Sequence, residues 1–127
     1  MTGSALSLAL AFAAVACGGG GSESDGPNVS LTGPALGEQT ARAKGCAGCH
    51  GQDFDGAAGP SWIGLAGSDV TLADGSTVLA DDDYLTRAIK NPAAEIADGY
   101  NLKMPANNLL DSEIAEIVVY INSLADG

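Results

Sequence analysis

Basic residues, aromatic side chains and long apolar runs are all scarce in this 127-residue chain. Five Lys+Arg stand against sixteen Asp+Glu, a formal net charge of −11. A surface so poor in cations cannot neutralise phosphates, which excludes nucleic acid as a partner. Aromatic residues make up 5% of the chain, so a domain of this size has a thin core unless something else fills it. The one markedly apolar run, Ser4 to Cys17, is too short to span a bilayer as an ordinary helix. Histidine occurs once, at His50, and methionine once beyond the initiator, at Met104.

What is present is concentrated in Gly45-Cys46-Ala47-Gly48-Cys49-His50. Cys-x-x-Cys-His is the spacing by which a protein holds haem covalently: two thiols for thioether bonds and an adjacent imidazole for the iron. Cys-x-x-Cys alone also suits a thiol redox pair or half a zinc site. Zinc needs two more thiolate or imidazole ligands, and only Cys17 remains, in a different kind of sequence. A thioredoxin-type site follows a strand, whereas a polar, alanine-containing stretch with no β-branched run precedes this motif. If haem sits here, its strong axial ligands are nearly fixed by elimination as His50 and Met104.

The Ser4–Cys17 run suits the core of an export signal. No Lys or Arg precedes it, a departure from the charged start of such signals. Ala14, Ala16 and Cys17 resemble a bacterial lipoprotein cleavage box, with Cys17 as the lipid-modified first mature residue; the competing reading is a plain secretion signal with an incidental cysteine. Four glycines and a Ser/Glu/Asp/Pro stretch follow, a flexible tether whose reach over about twenty residues is roughly 25 Å. The expected organisation is therefore a signal peptide over 1–16, a lipid-anchored linker over 17–34 and one folded domain over 35–127. It places the domain outside the membrane, in the periplasm or on the outer face of the cell membrane, held only by its lipid.

Punctuation predicts the elements. Glu38 to Lys44 suits a short helix closed by Gly45. Residues Gly51 to Gly67, rich in glycine, read as a loop. Asp69–Ala73 and Ser76–Ala80 flank Asp74-Gly75 and predict a hairpin. Asp81-Asp82-Asp83 offers capping carboxylates to a helix that runs to Lys90 and is stopped by Asn91-Pro92. Leu85, Ala88 and Ile89 form one apolar face of that helix, available to haem or core. A last helix begins near Asp111, and its stripe of Ile114, Ile117, Val118 and Ile121 is expected to pack the core.

The order of these motifs, from Cys46-x-x-Cys49-His50 through Gly59-Pro60-x-Trp62-x-Gly64-Leu65, Tyr84-Leu85, Asn91-Pro92 and Met104-Pro105 to a closing amphipathic helix, resembles class I monohaem cytochromes c. The stretch from Val70 to Met104 looks most like the cytochrome c domain of subunit II of caa3-type oxidases. The resemblance implies a mainly α fold, three to five short helices around one covalent haem with a small hairpin. It implies thioether links at Cys46 and Cys49, His50 as proximal ligand, Met104 as distal ligand, and a hydrogen bond from His50 to the Pro60 carbonyl. Trp62 and Leu65 are expected on or near the haem, with a general core role the alternative for Trp62. Tyr84 and Tyr100 are candidates to bond a propionate or to sit near the Met104 loop, or else are surface tyrosines.

Departures from that family carry expectations too. Thr40 and Ala41 stand where larger residues are common, which predicts a closer and weaker contact between first and last helices. Ala106-Asn107-Asn108 after Met104-Pro105 predicts a more polar, wetter cleft rim. Two strong ligands leave no open position, so the expected activity is one-electron transfer by a monomer and not enzymatic catalysis. Acidic patches such as Asp81-Asp82-Asp83 suit either docking to a basic partner or, more commonly, a solvated face that maintains solubility. The first reading is a lipid-anchored shuttle between a quinol-oxidising complex and a terminal oxidase or another reductase. A fixed cytochrome subunit of an oxidase or dehydrogenase is the second reading, and a haem-based sensor or peroxidase the third.

Overall fold

The computed structural model describes Met1 and residues 30–127. The predicted signal peptide beyond Met1, most of the predicted linker and Cys17 lie outside the described residues. Four helices and one hairpin follow in order: α1 (Gly33–Ala43), α2 (Ala47–His50), β1 (Asp69–Thr71), β2 (Thr77–Leu79), α3 (Asp82–Lys90) and α4 (Asp111–Ser123). Among the described residues no helix is long and apolar enough to cross a membrane.

Helix α1 starts at Gly33, ahead of the predicted Glu38, because Pro34 in its first turn presets a helical φ and sacrifices no hydrogen bond there. Its C-terminus is a Schellman motif. Gly45 takes φ +80°, its N–H donates to Arg42 O at 3.1 Å, and the Cys46 N–H donates to Ala41 O at 3.0 Å. The helix stop and the first residue of the cysteine motif are thus one structure.

Helices α1 and α4 form the principal helix pair. At their crossing a Cβ on Gly37 would collide with the Glu116 carbonyl oxygen and come within 2.7 Å of Tyr120 Cβ. The approach is close, as Thr40 and Ala41 predicted, and Gly37 is the residue that permits it. Ala41 is fully buried beside it. Thr40 Oγ1 donates to Glu116 Oε2 at 2.7 Å across the same contact.

Lys44 Nζ reaches Glu113 Oε1 at 2.6 Å, and Glu113 Oε2 accepts from Leu110 N at 3.0 Å at the start of α4. The bond from Lys44 comes first among the causes that hold the Glu113 carboxyl below its ordinary 4.5, followed by that from Leu110. A depressed folded-state pKa adds stability above the unfolded value and loses it as pH falls through the folded one. Glu113→Gln is accordingly expected to lower the denaturation midpoint at pH 7, with the gap to the parent closing as the medium is acidified below the ordinary carboxylate range; paired denaturation curves across pH check this.

The hairpin forms where the β-branched residues flank Asp74-Gly75. Asp69 pairs with Leu79, Val70 with Val78 and Thr71 with Thr77. The turn is wider than a two-residue Asp-Gly connection: Leu72 N donates to Ser76 O at 2.8 Å, and Asp74 Oδ1 accepts from Ser76 N and Oγ. Leu72 then bridges to Ala97, with Ala73 N on Ile96 O and Asp98 N on Thr71 O. The hairpin thereby anchors the stretch that leads towards Met104. Asp81 caps α3 through Tyr84 N at 2.8 Å, as its carboxylate predicted.

The core gathers Ile114, Ile117, Val118 and Ile121 of α4 against Leu85 and Ile89 of α3, with Phe54 and Trp62 from the connecting loop. The four-helix, mostly helical plan with one two-stranded sheet matches the expected fold.

Candidate functional site

The cysteine motif folds as a single helical turn. Cys49 N and His50 N both donate to Cys46 O, at 3.2 and 3.0 Å, so the two thiols and the imidazole are delivered by one short rigid segment. Both cysteines are free and partly exposed. Burial raises the Cys46 thiol pKa above its ordinary value, against a lowering backbone hydrogen bond, and the nearby Cys49 adds a smaller upward push.

His50 is oriented from behind. Its Nδ1 lies 2.8 Å from Pro60 O. A carbonyl can only accept, so Nδ1 carries the proton and the lone pair is on Nε2. Burial lowers the His50 pKa, with the Pro60 bond opposing; a neutral imidazole is the form able to bind a metal. The loop that supplies Pro60 is held by Gly59 N on Cys49 O at 2.8 Å. Gly59 also lets the ring in close, for a Cβ there would stand 3.2 Å from His50 Cε1.

A cavity of about 480 Å³ opens beside the motif, within the range of ~300–1,000 Å³ usual for small-molecule and cofactor pockets. Cys46, His50, Pro60, Trp62 and Leu65 line it from the N-terminal half. Tyr84, Leu85 and Ile89 line it from α3, and Tyr100 and Met104 from the segment that follows. Every predicted site residue of the folded domain except Cys49 is therefore on one cavity wall. Cys49 sits on the same helical turn, half buried, outside that lining.

Several of these positions are sharper than the sequence reading. Tyr84 is 5% exposed, so the surface alternative does not hold for it; Tyr100 is exposed at the cavity mouth. Trp62 is both cavity wall and core: its ring is 4.9 Å from that of His50 and stacks on Phe54 at 4.5 Å. The predicted polar rim is not found where expected, since neither Asn107 nor Asn108 lines the cavity. Asn107 turns away and donates to the Ile89 carbonyl at 2.7 Å, satisfying an acceptor that the last turn of α3 leaves open.

Several further residues line the cavity with no sign of it in the sequence. Ile117 and Ile121 serve the cavity as well as the core, and Val70, Thr71 and Ile96 bring the hairpin and the segment bridged to it to the wall. Phe54 is fully buried at φ +57°, the one non-glycine residue at positive φ among those described. The signal for it was compositional: it is the only phenylalanine of the folded region, alone in a glycine-rich loop.

The donor set fits a covalent iron porphyrin. The Cys46 thiol, a back-bonded imidazole, a thioether and apolar walls line one cavity, and the Cys49 thiol stands on the same helical turn as Cys46 and His50. Comparison with curated proteins finds no match. The profile of the family described as cytochrome c matches residues 34–125, which takes in all four helices but for the first residue of α1. Cys46 and Cys49 fit the Cys-x-x-Cys-His attachment motif of that family, whose cofactor is covalent haem c. With the motif, the cavity and the mostly helical plan in agreement over most of its length, the chain belongs to the cytochrome c family.

Proposed function

We propose that this cytochrome c is a mobile one-electron carrier of the bacterial cell envelope, with His50 and Met104 as the axial ligands of its haem. The observation that carries the reading is the shared cavity: it meets the chain's only imidazole and its only non-initiator thioether. Haem iron supplies a one-electron couple, and a methionine ligand raises its potential.

The protein's own part is positional. Pro60 holds the His50 ring so that Nε2 faces away from the hydrogen bond and raises the basicity of the ring. Leu85, Ile89, Ile117 and Ile121 exclude water from the buried side. Tyr100 and Met104 remain accessible at the mouth, which suits electron exchange through an exposed edge.

We also read the chain as related to the haem module of caa3-type oxidase subunit II, set on a lipid anchor at Cys17. The Leu72–Ala97 bridge gives a structural context to the Val70–Met104 stretch on which that likeness rests. The apolar Ser4–Cys17 run and glycine-rich linker support an exported, tethered carrier. A basic redox partner suits the net charge of −11.

Potentiometric titration of the haem-loaded protein tests the proposal. One reversible transition of a single electron with a low-spin spectrum in both states is expected, together with electron transfer to a basic partner that slows as salt is raised. A high-spin ferric spectrum that binds peroxide directly would instead support a peroxidase or sensor.

A further inference from the structure

The segment that carries Met104 is held by few polar contacts. Asp98 N donates to Thr71 O before it, and Leu110 O accepts from Ile114 N after it. Among the described residues no backbone–backbone hydrogen bond joins residues 99–109 to the rest of the domain. Met104 is 36% exposed and Leu102 58% exposed, so side-chain burial does little to hold this stretch before Leu109, which packs against the core.

One side chain spans the gap. Asn107 Nδ2 donates to Ile89 O at 2.7 Å, while its Oδ1 accepts from Leu109 N at 3.3 Å. The carbonyl can only accept and the amide N–H can only donate, so both ends of the Asn107 amide are assigned by chemistry. Ile89 is itself a cavity wall, and its carbonyl lies in the last turn of α3. Asn107 therefore pins the Met104 segment to the helix that forms the wall of the haem cavity.

Pro105 makes the pin effective. It fixes φ in the short link Met104-Pro105-Ala106-Asn107, so that holding Asn107 restricts where the Met104 thioether can go. With the pin in place the unsupported stretch ends at residue 106; without it the stretch runs on to 108, where the packing of Leu109 against the core takes over. We infer that Asn107 is a positioning residue for Met104 and that the Asn107–Ile89 hydrogen bond sets how often the methionine leaves the iron. This rests on Met104 as distal ligand.

The test uses the haem-loaded ferric protein, imidazole as competing ligand, and the variants Asn107→Ala and Asn107→Asp. Aspartate keeps the size and the acceptor for Leu109 N but loses the donor to Ile89 O. Both variants are expected to bind imidazole about fivefold faster than the parent, the scale set by losing one hydrogen bond, and to show a weaker methionine-to-iron charge-transfer band. Asn108→Ala, one residue on, is expected to match the parent. Parent-like exchange in both Asn107 variants overturns the inference, as does equal acceleration in Asn108→Ala. A parent protein without the methionine band overturns the ligand assignment and the positioning role together, whereas a normal parent band with unchanged exchange overturns the positioning role alone.

Discussion

Met104→Ala is expected to abolish the weak methionine-to-iron charge-transfer band, lower the reduction potential, and open the iron to external ligands. The direction follows from the thioether, a soft donor that favours the ferrous state. Alanine leaves the cavity no replacement for the thioether, because the described domain holds no methionine besides Met104 and no histidine besides His50. Imidazole should then bind more than about tenfold more tightly than to the parent, equivalent to at least ~1.4 kcal/mol. The His50 side of the site is untouched, since its bond to Pro60 does not involve the Met104 segment. Absorbance, potentiometry and imidazole titration on the two proteins read this out, and an unchanged spectrum would remove Met104 from the coordination sphere.

Phe54→Ala carries the largest expected loss of stability. The ring is fully buried, stacked on Trp62 at 4.5 Å, edge-on to Tyr120 at 5.2 Å, and covered by the Arg42 guanidinium at 5.1 Å. Truncating a buried phenylalanine costs ~3–5 kcal/mol. A domain of this size commands only roughly 5–15 kcal/mol in total, so the variant should unfold at a much lower denaturant concentration. Backbone geometry adds a second, independent signature. Phe54 sits at φ +57°, where a residue with a Cβ is strained. Phe54→Gly is therefore expected to be no less stable than Phe54→Ala, reversing the usual order of these two residues. Circular dichroism and the emission of Trp62, the only tryptophan, give the midpoints.

Both predictions concern residues of very different visibility. Met104 could be named as a candidate ligand from the chain because ligand chemistry demands particular atom types, and the chain has one histidine and one methionine beyond the initiator. Phe54 could not, because its importance lies in a ring stack and a left-handed φ inside a segment that reads as loop. The glycine-rich stretch after the motif looked irregular, and it is; yet Trp62 N on Phe54 O and Gly64 N on Leu124 O give it a definite path under α4. Local rules see the turns in such a segment, but not the partners that make it ordered.

The helices divide in the same way. The cap at Asp81, the stop at Gly45 and the stripe on α4 are local, repeating signals that survive into the structure. The early start of α1 depended on Pro34 being read as a first-turn residue, and not as the end of the linker. Gly37 was silent because a glycine within a helix looks like a defect until the neighbouring backbone of Glu116 is in view. Asn107 misled for a related reason: an exposed polar residue beside Met104 suggested a wet rim, while its amide is turned to the end of α3.

By itself the sequence determined the cofactor chemistry, the candidate ligands, the acidic surface and the element types, because each depends on residue identity or on spacing within one turn, hairpin or helix. Only the tertiary structure decided that Cys46, His50 and Met104 face one cavity, that α1 and α4 touch through Gly37, and that Asn107 ties the methionine segment to Ile89. Those contacts join residues far apart in the chain, and their energies exist only once backbone paths converge.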